Sequence, residues 1–285
     1  MFSAKVRERS IGEMGYLWLL AVLLIPVAVL IIGAAVPNSW ADDDDDDDDA
    51  VPFDEAEIFF ELNNTDGDLG IHALIDGDAW KELEIEDPRG RELLEIRVKS
   101  RLRRQGLTEI FFESAEPPFE SDDPDEVTLP SEEFFERFPK GKYEIEGETL
   151  DDEEMESIAY LSHLMPAPPE NIMVDEEPAA EDCDEVELPS VSGEEDVIIS
   201  WDPVTLSHPE IGKTNKPIKV VKYEVVVERE EPTLLIFSVE LPPDVTEVTV
   251  PQSFIELGDE FKFEILVQEK TGNRTAVESC FLVED

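Results

Sequence analysis

From Phe53 onward the chain repeats one pattern. Runs such as "WKELEIE" (Trp80–Glu86) and "KYEVVVE" (Lys222–Glu228) alternate apolar and polar side chains, separated by segments bearing Asp, Gly or Pro. Alternation of period two gives an extended strand one apolar and one polar face, whereas an amphipathic helix repeats its apolar residues every three to four positions. In the first half, "EAEIFFEL" (Glu55–Leu62) runs into the turn "NNTDGDLG" (Asn63–Gly70), and "IHALI" runs into a second turn at "DGDA" (Asp76–Ala79). "LLEIRVKSRLRR" (Leu93–Arg104) alternates throughout, and "LTEIFFES" (Leu107–Ser114) follows. Short alternating runs joined by Asp-Gly turns predict an antiparallel β domain. After an acidic, Pro-bearing loop, "SEEFFERF" (Ser131–Phe138) predicts one short helix, capped by Ser131 and stopped by Pro139. "KYEIEGETL" and "ESIAYLSHLM" then predict a pair of strands.

"PAPP" (Pro166–Pro169) interrupts the pattern and marks a domain boundary. The fold class expected is all-β: two β-sandwich domains in tandem, 53–165 and 166–285, after an N-terminal apolar helix. The second carries an acidic insertion at 175–196.

The N-terminus places the protein. Lys5, Arg7 and Arg9 precede the uncharged run Gly15–Val36, the pattern of an export signal. Ser39 and Ala41 are small residues suited to cleavage after Ala41, yet the run is long enough to span a bilayer. Two readings of 1–41 stand, a cleaved signal peptide (favoured) and an uncleaved anchor at 15–36. Both put the remaining chain outside the cytoplasm, periplasmic or secreted to the cell surface, with membrane contact only through an uncleaved N-terminus. Eight aspartates, Asp42–Asp49, follow. Adjacent like charges repel and extend, so 42–52 reads as an acidic spacer and not an ion site.

The net charge is −50, from 72 acidic and 22 basic residues. Such a surface repels nucleic acid, which is therefore excluded as a partner.

In the second half, "VIISWDPVT", with Trp201 as a core tryptophan, resembles the second strand of a fibronectin type III domain. "KYEVVVE", with Tyr223, resembles the third, and "FIELGDEFKFEILVQEKTGNRTA" resembles the corner, the sixth strand and the turn after it. "PAPPENIMV" is similar to the approach to the first strand. Phe261 stands where the family carries its corner tyrosine, and the acidic insertion is a second departure. The resemblance covers about 167–285 and implies a sandwich used for binding or spacing, usually non-catalytic and extracellular. No family is placed on 53–165. The family topology puts Cys183 and Cys280 at one pole of the sandwich, and export favours a disulfide between them over two free thiols.

Candidate chemistry is sparse. Asn64, Asp66 and Asp68 have the first three spacings of a calcium loop, but Leu69 and Ile75 occupy positions that need Gly and Glu. A looser Ca²⁺ site requires the two predicted turns to meet, so that Asp76 and Asp78 join Asp66 and Asp68. Plain turn chemistry is the simpler account, and no other cofactor is expected. Arg97, Lys99, Arg101 and Arg103, with Arg89, Arg91 and Arg104, form the one basic cluster. It either binds an anionic polymer or pairs across strands with Glu82, Glu84, Glu86, Glu109 and Glu113, the simpler reading. His72, His163 and His208 are scattered. Asn63-Asn64-Thr65 and Asn273-Arg274-Thr275 match glycosylation sequons. The expected function is a non-catalytic binding or structural protein, with a protein or glycan partner at the cell envelope. A calcium-dependent glycan- or polymer-binding module is the alternative, and an extracytoplasmic hydrolase comes last.

Overall fold

The computed structural model describes residues 50–181, 183 and 188–284. The apolar segment and the aspartate run, with the expectations placed on them, lie outside the described residues. Among the described residues no helix is long and apolar enough to cross a membrane.

The chain is all-β, built in sandwich-like layers. β1 (Glu55–Asn63) and β2 (Asp68–Glu86) form the expected hairpin across Asn64–Gly67. The second expected turn is not made. Asp76–Ala79 lies inside β2, a single strand of 19 residues, at the point where the strand changes partners. Up to Asp76, β2 pairs with β1 and runs along β4 (Leu107–Glu113). From Trp80 it pairs with β5 (Gly141–Thr149) and from Glu82 with β3 (Glu92–Arg97), and its registers shift across the corner. A Cβ at Gly77 would lie 3.0 Å from the Met155 methyl and 3.2 Å from the Phe53 ring, so both would have to give by a few tenths of an ångström. An Asp-Gly pair thus marks a strand corner as readily as a hairpin, and local sequence does not separate the two.

The basic run also departs from expectation. β3 stops at Arg97, and Ser100–Gln105 form a helix, α1, with no buried residue. Val98 is buried and Leu102 is half exposed, so the alternating apolar side loses its core contact after Val98. Nothing then favours an extended strand, and basic Arg103 and Arg104 suit a helix C-terminus. The predicted helix at 131–138 is α2 (Ser131–Arg137), although Pro130 and not Ser131 occupies its N-cap. It inserts Phe134 into the first core, edge-on to Phe60 at 5.3 Å. β6 (Glu154–Leu161) pairs with β5 as expected. Trp80, Ile85, Tyr143, Ile145 and Met155 fill the same core.

In the second half, β7 (Met173–Val174), β8 (Glu177–Pro178), β10 (Val197–Ser200) and β13 (Glu247–Val250) form one sheet in the order β13-β10-β7-β8. It faces β11 (Val220–Arg229), β12 (Leu235–Leu241), β14 (Glu260–Glu269) and β15 (Arg274–Glu284) across a second core. This is the two-sheet sandwich that the resemblance implies. Short β9 (Ser190–Ser192) runs parallel to the end of β15, and α3 (Gln252–Ile255) precedes β14. Trp201 meets Tyr223 edge-on at 5.3 Å, and the Tyr223 hydroxyl accepts the Val204 N–H at 2.9 Å. Phe261, lacking the corner hydroxyl, stacks on Phe281 at 5.5 Å. Cys183 and Cys280 are bonded, tying the insertion to β15.

The two cores share a sheet. β1 and β15 pair in parallel, so the strand order runs β12-β11-β14-β15-β1-β2-β5-β6 without a break. Asn273 locks this seam. Its Oδ1 accepts the Phe60 N–H at 2.9 Å, and its Nδ2 donates to the carbonyls of Ser162 at 2.9 Å and Leu164 at 3.2 Å. Thr275 Oγ1 donates to the Pro166 carbonyl at 2.8 Å. The start of the Pro166–Pro169 segment, read as the domain boundary, is therefore held against β15.

Candidate functional site

The five calcium candidates are not brought together. Asn64 Oδ1 is bonded to His208 Nε2 at 3.0 Å, and Asp66 Oδ2 accepts from Asn63 Nδ2 at 3.1 Å. Asp76 caps its own corner by accepting the Gly77 N–H at 3.0 Å. Eight residues of strand put Asp76 about 26 Å from Asp68, and Asp78 is exposed beyond the corner. Among the described residues, no group of three or more His, Cys, Asp or Glu is disposed to hold a metal ion.

Asp68 belongs instead to a polar seam on the sheet face opposite the cores. His72, buried between the rings of Phe59 (5.3 Å) and Phe111 (5.8 Å), makes a 3.0 Å contact from Nε2 to Glu116. Burial lowers the imidazole pKa, but the Glu116 hydrogen bond and the charges of Glu61, Glu116 and Glu113 outweigh it and hold the group above its ordinary value. Arg274 lies 4.2 Å over the Phe59 ring and 3.5 Å from Glu61. Lys262 pairs with Glu278 at 2.5 Å. Asp68 takes no ion pair among the described residues. Its Oδ1 is buried without a hydrogen-bond partner. Burial, with the charges of Glu116, Asp66, Glu278 and Glu113 adding to it, pushes its pKa up to about 8.

Among the described residues the basic cluster makes no close cross-strand ion pair, although Arg97 stands opposite Glu82. Arg97 pairs with Glu95 of its own strand at 2.7 Å, and Arg91 with Asp87 at 2.5 Å. Lys99, Arg101, Arg103 and Arg104 leave the sheet with α1. Of the glutamates they were expected to neutralise, Glu82, Glu84 and Glu86 stand opposite other glutamates. Across β3, β2, β5 and β6 one row runs Glu95, Glu84, Glu146, Glu156, and the next runs Arg97, Glu82, Glu148, Glu154. A third places Glu86 opposite Glu144. Glu148 is bonded to Lys81 at 2.6 Å and Glu144 to Lys142 at 2.8 Å. Among the described residues Glu82, Glu84, Glu86, Glu146, Glu154 and Glu156 take no ion pair. The Glu146 carboxyl is pushed up by desolvation and then by the charges of Glu86, Glu156, Glu84 and Glu144. Directly opposed side chains sit about 5 Å apart at Cβ, so the face is a close-set carboxylate array. The alternating glutamates of "WKELEIE", "KYEIEGET" and "EMES" were visible in sequence, but their register was not.

The remaining sequence candidates are structural. His163 stacks on Phe135 at 4.4 Å, and the three histidines serve separate contacts. Asn63 and Asn273, the acceptors of the two sequons, are buried, and each side chain is spent on internal hydrogen bonds.

No family model matches the sequence, and no curated protein matches it. Among solved structures it is similar to the FN1-FN3 domains of chicken CNTN1, at 8% identity and a TM-score of 0.33, covering 82% of this chain and 65% of that one. It therefore spans slightly under two thirds of that chain's length. It is also similar to a segment of two fibronectin type III domains from chicken tenascin, at 11% identity and a TM-score of 0.25, covering 81% of this chain and 98% of that one. The third fibronectin III domain of human KIAA0343 protein is 16% identical, with a TM-score of 0.28, and covers 44% of this chain and 88% of that one.

Proposed function

We propose that the chain is an exported, non-catalytic binding module whose recognition surface is the carboxylate array on β3, β2, β5 and β6. The observation that carries the reading is the in-register pairing of like charges, Glu84 with Glu146 and Glu146 with Glu156. Opposed like charges weaken a sheet, so folding gains nothing from them, whereas a cationic partner is drawn to them. The partner class is a basic protein or amino-bearing polymer at the cell envelope. The Cys183–Cys280 bond fits an oxidising compartment outside the cytoplasm. The test measures polylysine binding by calorimetry on the full chain, comparing Glu84→Gln/Glu146→Gln/Glu156→Gln with Glu194→Gln/Glu195→Gln/Glu231→Gln. The first triple is expected to weaken binding at least tenfold more than the second. Equal losses would mean that only net charge matters and would end the reading.

Calcium-dependent recognition of a glycan or polymer is a second reading, kept by the buried, unpartnered Asp68 Oδ1 amid Asp66, Glu116 and Glu278. Calcium titrated with and without chelator decides it. Heat and a raised melting temperature that Asp68→Asn removes would sustain it, and no response at millimolar calcium would end it.

A further inference from the structure

We infer that two copies of this chain join through β12, edge to edge and antiparallel, so that their sheets run on as one. β12 stands at the margin of its sheet and pairs with β11 alone, without a register shift. Among the described residues, none outside β11 makes a backbone hydrogen bond to Leu235–Leu241. An antiparallel strand with a single partner leaves the N–H and C=O of every second residue turned outward. Folded proteins blunt such an edge with charge, proline, a bulge or short length. The other marginal strands show these devices. β3 carries Glu92, Glu95 and Arg97, and β4 carries Glu109 and Glu113. β8, β9 and β13 have four residues or fewer. β6 has Val51 and β1 beside it. β12 has seven residues and one charge, Glu240, which is paired with Lys222. The run Thr233–Val239 holds no charge and no proline, in a chain of which 33% is charged.

The second core is also unfinished at this margin. Tyr223, Val225 and Val227 of β11 are fully buried, whereas Leu241, Val239 and Phe237, opposite them in register, are only partly buried. Leu234, just before the strand, is 48% exposed. A further strand completes that burial and takes up the outward backbone groups. Charge decides which strand fits. Two copies of a chain with a net charge of −50 repel wherever their acidic faces meet. Pairing β12 with β12 lays the uncharged run against itself. A two-fold axis at Phe237 sets Leu235 against Val239 of the second copy and Ile236 against its Ser238, and within the paired strands no carboxylate opposes another. The edge holds no unpaired charge to select a basic or an acidic strand. What it matches is an uncharged, apolar, regular strand, and β12 is itself such a strand.

The test is sedimentation of the full chain from micromolar to millimolar concentration. Mild detergent shields the apolar Gly15–Val36 run, and high salt screens the net charge. The wild type is expected to dimerise reversibly. Ser238→Lys puts a charge on an exposed position of the edge and is expected to raise the dimer dissociation constant at least tenfold. Thr108→Lys makes the same charge change at an exposed position of β4 and is expected to leave that constant unchanged. Both variants lower the net negative charge, so a weakening by Ser238→Lys alone comes from the edge and not from repulsion. A wild type that stays monomeric at every concentration overturns the inference, as does a dimer that Ser238→Lys weakens no more than Thr108→Lys. Hydrogen exchange on the wild type decides the matter even where a variant fails to fold. The amides of Leu235–Leu241 are expected to exchange more slowly as concentration rises, and unchanged exchange there overturns the inference.

Discussion

The sheet carries carboxylates on two surfaces, and it treats them oppositely. On the face formed by β3, β2, β5 and β6, glutamates stand opposite glutamates with few partners. Water screens them, so the arrangement is tolerated at small cost. Along the seam at β1, β2, β14 and β15, three acids are matched with cationic groups, Glu61 with Arg274, Glu278 with Lys262 and Glu116 with His72, while Asp68 and Glu264 have no ion pair among the described residues. Burial there removes the screening, and an unpaired charge becomes expensive. Burial and the neighbouring acids instead push the pKa values of Asp68 and Glu264 upward. The same residue type is therefore a candidate binding element in one place and a structural element in the other.

Four measurements break or sharpen this contrast. The largest effect is expected from Asn273→Ala, which strips the buried Phe60 N–H and the Leu164 carbonyl of their partners. Denaturant titration is expected to show a loss of about 3 kcal/mol, and a loss below about 1 would mean that the seam is not held there. Lys262→Met leaves Glu278 unpaired at low exposure and is expected to cost about 2 kcal/mol, less than a fully buried pair because water still reaches the site.

The third concerns pH. Asp68 has a folded pKa of about 8, raised from 3.8, so the folded state holds its proton more tightly than the unfolded chain does. Its stabilisation is complete below the unfolded value and is lost as pH rises toward and through about 8. The raised His72 pKa acts in the same direction, its contribution being lost as pH rises past its unfolded value. Thermal melts are expected to show a falling melting temperature from pH 6 to pH 9, and Asp68→Asn is expected to flatten that slope. An unchanged slope in Asp68→Asn would remove Asp68 as its source. The smallest effect lies on the exposed face. Glu146→Lys is expected to stabilise by about 0.5 kcal/mol at low salt and by nothing measurable at high salt. Destabilisation instead would show that the array is a built structural network.

The seam and the array differ in how far the sequence disclosed them. Alternation named most strands, the Asn63–Gly70 turn, the helix at Ser131 and the two-sheet second half, because each depends on residues close in the chain. It misread Asp76–Ala79 and Ser100–Gln105. At Asp76–Ala79 the outcome follows from the change of strand partners beside Phe53 and Met155, and at Ser100–Gln105 from the loss of core contact after Val98. Asn273 looked like a glycosylation acceptor, and nothing near it in sequence points to Ser162 or Phe60.

By itself the sequence determined that the chain is all-β and acidic, while it left a Cys183–Cys280 disulfide favoured over two free thiols and the structure shows it formed. Only the tertiary structure decided that β1 joins β15, that Glu84 faces Glu146, and that Asp68 is buried while Asp78 is not. The reason is physical. Alternation assigns each side chain to a face of its own strand, but register and burial are set by partners that lie far away in the chain.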